Sequence, residues 1–314
     1  MTRHLLEIDD LNQSELIAIL DRAEEQSPKK VLDGQGAVLL FEKPSARTRT
    51  SMEMAVMQLG GHPVTLRSDE VGIDTRESAE DLARLFSGYG ALIGARVFEH
   101  DKVERLAVNS TVPVVNLLSD EAHPVQALAD LLTIRQEFGD LSGLMVAYVG
   151  DANNVARSLG LACGLLGVGF RVSNPKGYGF DDDTVARLAA AGCKVELIED
   201  PHVAVADADV IYTDAWYSMG QEDEQAIRRK DFADWQVNEA LMERASRRAI
   251  FMHCLPAHRN DEVTDAVIDG PASRVWPQAH NRMHTARGLI LWLASLSDAG
   301  VSRMGVSGAG MSGG

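Results

Sequence analysis

The chain has few of the features that commit a protein to export, membranes or nucleic acid. Only three cysteines occur in 314 residues, Cys163, Cys193 and Cys254. This odd, sparse set has no metal-ligand spacing. It excludes a disulfide scaffold and suits reduced thiols in a cytoplasmic setting. No basic n-region followed by an apolar h-region opens the sequence, so no secretory signal is visible. No uninterrupted apolar run reaches transmembrane length; the nearest are around 159–170 and 289–296. Positive charge is scarce: 30 Lys and Arg stand against 46 Asp and Glu, a formal net charge of −16. That field repels a polyanion and excludes a nucleic-acid grip. There is no internal repeat. There is also no G-x-G-x-x-G, which leaves a nicotinamide-dependent dehydrogenase without its phosphate turn.

What is present is an ordinary globular composition, 45% apolar and 24% charged, in a chain long enough for two domains. Short apolar runs alternate with helical patterns. Strands are predicted at 37–41, 63–66, 91–94 and 112–116, with helices at 12–25, 46–59, 78–87, 101–109 and 124–138. Gly139 and Gly143 flank a break, and the alternation restarts. Strands follow at 145–149, 170–173, 194–198, 209–213 and 249–252. Helices fall at 154–166, 182–191, 202–206, 237–246 and 285–296. Strands alternating with helices imply parallel sheets, and two such sets imply an α/β protein of two domains. The expected division is 1–139 and 140–284, with the C-terminal helix, 285–298, packing back on the first domain and a Gly/Ser-rich flexible tail at 303–314.

The most informative stretch is Ser45-Ala46-Arg47-Thr48-Arg49-Thr50. It joins a predicted strand to a predicted helix, with Ser45 placed as the N-cap. Free N–H groups and the dipole make a helix N-terminus an anion site. Acidic residues normally fill such a turn. Two arginines there point instead to a bound phosphate or carboxylate, which a guanidinium grips with two parallel bonds.

Ligands of parallel sheets bind outside the carboxyl ends of the strands, and five further polar clusters stand at such ends. They are Arg96; Asn116 with His123-Pro124-Val125-Gln126; Asp151-Ala152-Asn153-Asn154; Asp214 with Ser218-Met219-Gly220; and His253-Cys254-Leu255-Pro256. Each has an ordinary structural alternative: a helix entry, a turn, a loop, a buried thiol. Arg282 alone reads more readily as a solvated surface charge. Together they describe a cleft between two domains.

In this order the clusters resemble the aspartate/ornithine carbamoyltransferase family, on its ornithine side, over nearly the whole chain. Ser-x-Arg-Thr-Arg and His-Pro-x-Gln mark carbamoyl phosphate binding in that family; Ser-Met-Gly and His-Cys-Leu-Pro mark the ornithine branch. The resemblance implies that Ser45, Ala46, Arg47 and Thr48 hold phosphate. It implies that Arg96, His123, Gln126 and Arg282 hold the carbamoyl end, with Pro124 and Val125 in the same motif. Asn154, Asp214, Ser218 and Met219 would hold L-ornithine, Asp214 at the α-ammonium. Cys254 and Leu255 would line the reaction centre, and Leu255–Pro256 would be a cis peptide. The implied reaction carries the carbamoyl group of carbamoyl phosphate to the δ-amine of L-ornithine, with Arg96, His123, Cys254 and Arg282 as the catalytic set. No metal or organic cofactor is needed, because the leaving group is already activated. A homotrimer is implied, in which a neighbour's loop completes each site. The family's glutamine in that loop is here Gly72, which can contribute only backbone. Aspartate, N-acetylornithine and putrescine stay open as acceptors at this point, although a carboxylate at 214 opposes aspartate. A non-catalytic sensor with the same fold stays open too.

Overall fold

The computed structural model describes residues 2–217 and 222–304. In the first half, α1 (Gln13–Ala23) opens on an Asn12–Glu15 capping box. β1 (Gly36–Phe41) is buried from Ala37 onward. Such a continuous apolar run is what helices on both faces of a parallel strand require. There follow α2 (Ala46–Gln58), β2 (His62–Arg67), α3 (Ser68–Val71), α4 (Ala79–Ser87), β3 (Leu92–Arg96), α5 (His100–Asn109) and β4 (Val114–Leu118). The strands form a parallel sheet of order β2-β1-β3-β4. α6 (Pro124–Phe138) then crosses to the second half, buried from Pro124 to Ile134.

The second half repeats the plan. It runs β5 (Met145–Val149), α7 (Asn154–Leu166), β6 (Gly169–Ser173), α8 (Asp182–Ala190), β7 (Glu196–Leu197), α9 (Pro201–Ala204) and β8 (Val210–Thr213). Then come α10 (Gln225–Asp231), α11 (Glu239–Met242), β9 (Ile250–His253), α12 (Asp265–Ile268) and α13 (Val275–Met304). The sheet is parallel, of order β7-β6-β5-β8-β9. Two parallel sheets flanked by helices is the α/β class that the alternation predicts. One apolar cluster runs from α1 and α2 through α6 and α13 to α7 and β5. Among the described residues no helix is long and apolar enough to cross a membrane.

Most predicted elements fall within two residues of their observed ends. Four differ in register or extent. β4 lies two residues later than predicted, so Asn116 sits inside the strand, where its side chain bonds Leu6 O and Ser119 Oγ. Asn116 is therefore a structural residue and no part of a ligand edge. β7 keeps only two of its five predicted residues, and α11 four of ten. The last helix begins at Val275, ten residues before the predicted start. Its first turns bury Gln278, Asn281 and Arg282, and a search for apolar spacing is blind to a helix whose buried face is polar. Residues 303 and 304 belong to this helix. The remainder of the expected tail, 305–314, lies outside the described residues.

α13 lies against α1 and α2. Arg287 donates to Ala23 O and Glu25 O, both at 2.9 Å, and to Gln58 Oε1 at 3.1 Å. The first two bonds satisfy carbonyls at the end of α1 that have no helical partner. Gly288 lets the helices meet: a Cβ there would stand 2.5 Å from Ile19 O and 2.7 Å from Ala23 N. Both obstacles are backbone and cannot swing aside. We expect Gly288→Ala to lose about 1–3 kcal/mol of stability, the usual cost of overpacking, measured by chemical denaturation. Unchanged stability would show that the helices part freely.

Candidate active site

Each sheet reverses its strand order once, and ligands of open α/β sheets bind at such switch points. In the first sheet the reversal falls between β1 and β3, whose last residues, Phe41 and Arg96, are paired in register. In the second it falls between β5 and β8. The chain leaves β1 through Ser45–Thr48 and β3 at Arg96. It leaves β5 through Asp151–Asn154 and β8 at Asp214. The sequence clusters thus occupy both crevices.

At the first crevice Ser45 caps α2, its Oγ accepting from Thr48 N at 3.1 Å. Thr48 is buried, and its Oγ1 accepts from Arg96 Nη1 at 3.3 Å and Arg282 Nη2 at 3.1 Å. A hydroxyl that accepts twice keeps its one proton free to donate. His123 caps α6 through its backbone with no side-chain cap bond, so its ring is free to reach inward. Arg282 Nη1 lies 3.4 Å from His123 Nε2 and donates to Gln126 Oε1. Pro124 and Val125 are buried in the first turn of the same helix. The structure therefore joins Thr48, Arg96, His123, Gln126 and Arg282 in one cluster, with Arg47 close enough to act on it by charge.

The electrostatics of this cluster are those of an anion cradle. Arg96 and Arg282 are buried, yet the hydrogen-bond partners that define the cluster are neutral. Burial, and then the Arg282 and Arg47 charges, lower Arg96 to about 10. Burial lowers Arg282 to about 10 against the pull of Asp130. His123 is held well below its ordinary value by burial and by the same three arginines, which keeps it neutral. Arg96 Nε and His123 Nδ1 are buried without a partner among the described residues. Buried donors without acceptors are costly, and an anion that accepts from all of them would relieve that cost. On the rim, a cavity of about 320 Å³ is lined by residues that include Lys43, Ser45, Arg49 and Arg67. It adjoins the cradle and does not coincide with it.

At the second crevice Asn153, not Asn154, caps α7 and donates to Asp214 Oδ2 at 2.9 Å. Asn154 Nδ2 instead crosses to Ser119 O in the first half, at 2.6 Å. Cys254 Sγ donates to Asp214 Oδ1 at 3.0 Å. Burial and the neighbouring Asp214 raise the thiol well above its ordinary value. Cys254 is therefore a protonated donor and cannot act as a base near neutral pH. Leu255 stands at φ +60°, and the Leu255–Pro256 bond is cis. Leu255 N donates to His253 Nδ1 at 2.8 Å, and His253 Nε2 meets Glu262 Oε1 at 3.0 Å. Asp214, His253 and Cys254 offer ligand atoms within 4.8 Å of one another. The His253 Nδ1 lone pair is already taken, however, so this set does not call for a metal.

Gly72, expected to act from a neighbour's loop, lies in neither cluster of its own chain. Gly72 ends α3 at φ +57°, and a Cβ there would lie 2.7 Å from Thr75 Oγ1. A glutamine could not occupy this backbone unchanged. Its N–H donates to Ser68 O and its carbonyl accepts from Thr75 and Arg76, so its polar groups are spent within its own loop. Ser218 and Met219 lie outside the described residues. Asp130, Tyr212 and Gln278 escape the sequence reading, which names Asn153 within its cluster but gives the ligand role to Asn154. Asp130 leaves one signal, an acid four residues after Gln126 in the mostly apolar first turns of its helix.

A buried carboxylate supports His123 from behind. Ser158 Oγ accepts from His123 N at 2.9 Å and donates to Glu7, Oγ lying 2.8 Å from Oε1. Burial raises Glu7 from 4.5 to about 7.

Comparison with known proteins points to one family. Residues 3–136 match the family described as aspartate/ornithine carbamoyltransferase, carbamoyl-P binding domain, and residues 142–293 match its Asp/Orn binding domain. The chain is 48% identical over 302 residues to an ornithine carbamoyltransferase of Acidothermus cellulolyticus, covering 93% of this chain and 97% of that one. Among solved structures, ornithine carbamoyltransferase from Pyrococcus furiosus superposes with a TM-score of 0.89 at 45% identity, covering 93% and 97%. The Thermus thermophilus enzyme does so with 0.86 at 44%, covering 94% and 99%.

The electrostatics have two measurable consequences. Inorganic phosphate at a hundred times its Kd should stabilise the fold by about 2.7 kcal/mol, and Arg96→Met should lose most of that increment without losing stability in its absence. An undiminished increment would move the anion elsewhere. Glu7, with its folded value above its unfolded one, adds stability below pH 4.5 that is lost as pH rises through about 7. Asp130 has the same sign, its contribution being complete below pH 3.8 and lost as pH rises through about 7. Denaturation at pH 5 and pH 8 should therefore show a smaller fall for Glu7→Gln than for the unsubstituted protein, and equal falls would exclude a buried ionising Glu7.

Proposed function

The chain belongs to the aspartate/ornithine carbamoyltransferase family, and we propose from that premise that it converts carbamoyl phosphate and L-ornithine to L-citrulline and phosphate. The observation that carries this reading is the buried cationic cradle, hydrogen-bonded to neutral groups, at one switch point beside the Asp214–Cys254 pair at the other. In this reading the first half, with α13, binds carbamoyl phosphate, and the second half binds the amino acid.

Phosphate sits on the N-terminus of α2, held by Ser45, the Ala46 N–H, Arg47 and Thr48. The carbonyl oxygen of the carbamoyl group, which gains charge in the tetrahedral state, takes the free Thr48 proton and the Arg96 and Arg282 donors. Removing one such donor typically costs about 2.7–4 kcal/mol of transition-state stabilisation. Neutral His123 and the Gln126 amide serve the carbamoyl end. Asp214 receives the α-ammonium, assisted by Asn153 or Asn154 and by the segment carrying Ser218 and Met219. Cys254 and Leu255 line the path of the δ-amine. That amine must attack in its neutral form, whereas a free alkylammonium titrates near ~10.4. With Cys254 protonated, the departing phosphate is the base that finally takes the proton. Ornithine is favoured over aspartate because a second carboxylate beside Asp214 would be repelled. A cytoplasmic homotrimer acting in arginine biosynthesis is the setting that the family supports.

The test is citrulline formation from carbamoyl phosphate with ornithine, N-acetylornithine, putrescine and aspartate offered in turn. Ornithine should be the best acceptor. Arg47→Ala should lower the rate by about two to three orders of magnitude with an unchanged unfolding transition. Activity with aspartate but not ornithine, or a near-normal rate for the variant, would overturn the assignment.

A further inference from the structure

Asp130 lies on α6, fully buried, one turn beyond Gln126. Its Oδ1 accepts from Gln126 Nε2 at 2.8 Å and from Gln278 Nε2 at 2.7 Å, and its Oδ2 accepts from the Tyr212 hydroxyl at 3.2 Å. Gln278 is on α13 and Tyr212 on β8, so one carboxylate collects donors from both halves of the chain.

The two neighbours of the Gln126 amide are chemically opposite. An ionised carboxylate only accepts hydrogen bonds, and a guanidinium only donates them. Asp130 therefore takes the NH2 edge of Gln126, and Arg282 takes its oxygen. A flipped amide would set its oxygen against the carboxylate and its NH2 against the guanidinium, losing two bonds and making two repulsive contacts. We propose that Asp130 is a positioning residue that locks the Gln126 amide with its carbonyl oxygen facing Arg282 and the carbamoyl subsite. An oxygen so placed accepts from the carbamoyl NH2, the end of the substrate that distinguishes it from free phosphate. The same carboxylate reaches the other subsite. Tyr212 lies two residues before Asp214 on β8, and Gln278 Oε1 accepts from His253 N at 2.9 Å, immediately before Cys254. Burial raises Asp130 to about 7, while the Gln126, Gln278 and Tyr212 donors on its oxygens favour the ionised, acceptor-only form.

This inference rests on carbamoyl phosphate being the ligand, and the experiment separates the two. Carbamoyl phosphate and inorganic phosphate are titrated by calorimetry into the full protein and its variants. If the unsubstituted protein fails to bind carbamoyl phosphate, it is the proposed function that fails. Asp130→Asn keeps the shape but removes the acceptor-only partner. It should weaken carbamoyl phosphate by about tenfold, the worth of one good hydrogen bond, and leave inorganic phosphate within about twofold. In a Gln126→Ala background the same substitution should add less than about twofold. The exchange Gln126→Glu with Asp130→Asn restores the pattern, because the introduced amide can donate to the introduced carboxylate, which still accepts from Arg282. It should recover most of the binding that Gln126→Glu alone loses. Equal losses for both ligands, equal losses in both backgrounds, or no recovery by the exchange would each overturn the role.

Discussion

Positive charge held out of water on neutral hydrogen-bond partners is the constraint on which the rest of the site depends. Arg96 and Arg282 converge on one threonine oxygen, and burial depresses both. A lone buried guanidinium would be a liability. Two on one hydroxyl, with neutral His123 and Gln126 around them, form a site that is complete only with an anion in it. The net charge of −16 is no contradiction. The acidic exterior repels polyanions, while the cradle acts at short range in a low-dielectric pocket, where local charge outweighs the distant field.

The fold applies one topological device twice. Each sheet reverses its strand order, and each reversal opens a crevice at the carboxyl ends of two adjacent strands. The first crevice gathers donors and the second gathers an acid with its own donors, Asn153 and Cys254. This division matches the chemistry proposed: an anionic, electrophilic partner on one side and a cationic amino acid on the other. The protonation of Cys254 follows from its burial beside Asp214 rather than from anything intrinsic to the thiol. In the proposed reaction the carboxylate that attracts the ammonium would also hold the thiol proton, which leaves the substrate's own phosphate as the base.

Where the local signal was strong, the sequence was a good guide. Ser45 is an N-cap, Arg96 ends a strand, and Asp214 and His253 close adjacent strands, all as a run of buried residues ending in a polar cluster implies. What escaped were polar residues whose role comes from partners far along the chain. Asp130 and Gln278 are 148 residues apart and meet at 2.7 Å, and no local pattern can announce such a pair. The early start of α13 was hidden for the same reason, since its inward face is amide and guanidinium. Asn116 shows the opposite error: a polar residue near a strand end, read as a ligand group, is a bracket between β4 and the N-terminal segment.

α13 makes stability and chemistry inseparable in this molecule. One end carries Gln278 and Arg282, which reach the backbone before Cys254 and the anion cradle respectively. Further along, Arg287 closes the end of α1 and Gly288 allows backbone contact with it. A helix locked on the first half therefore delivers side chains to both crevices. Its register against α1 sets where the Arg282 guanidinium stands relative to Thr48. A shift of one residue along the helix would move that group by about 1.5 Å and rotate it by about 100°, enough to break every bond it makes. Close packing at Gly288 thus fixes the position of a charge that sits earlier on the same helix and takes no part in that packing.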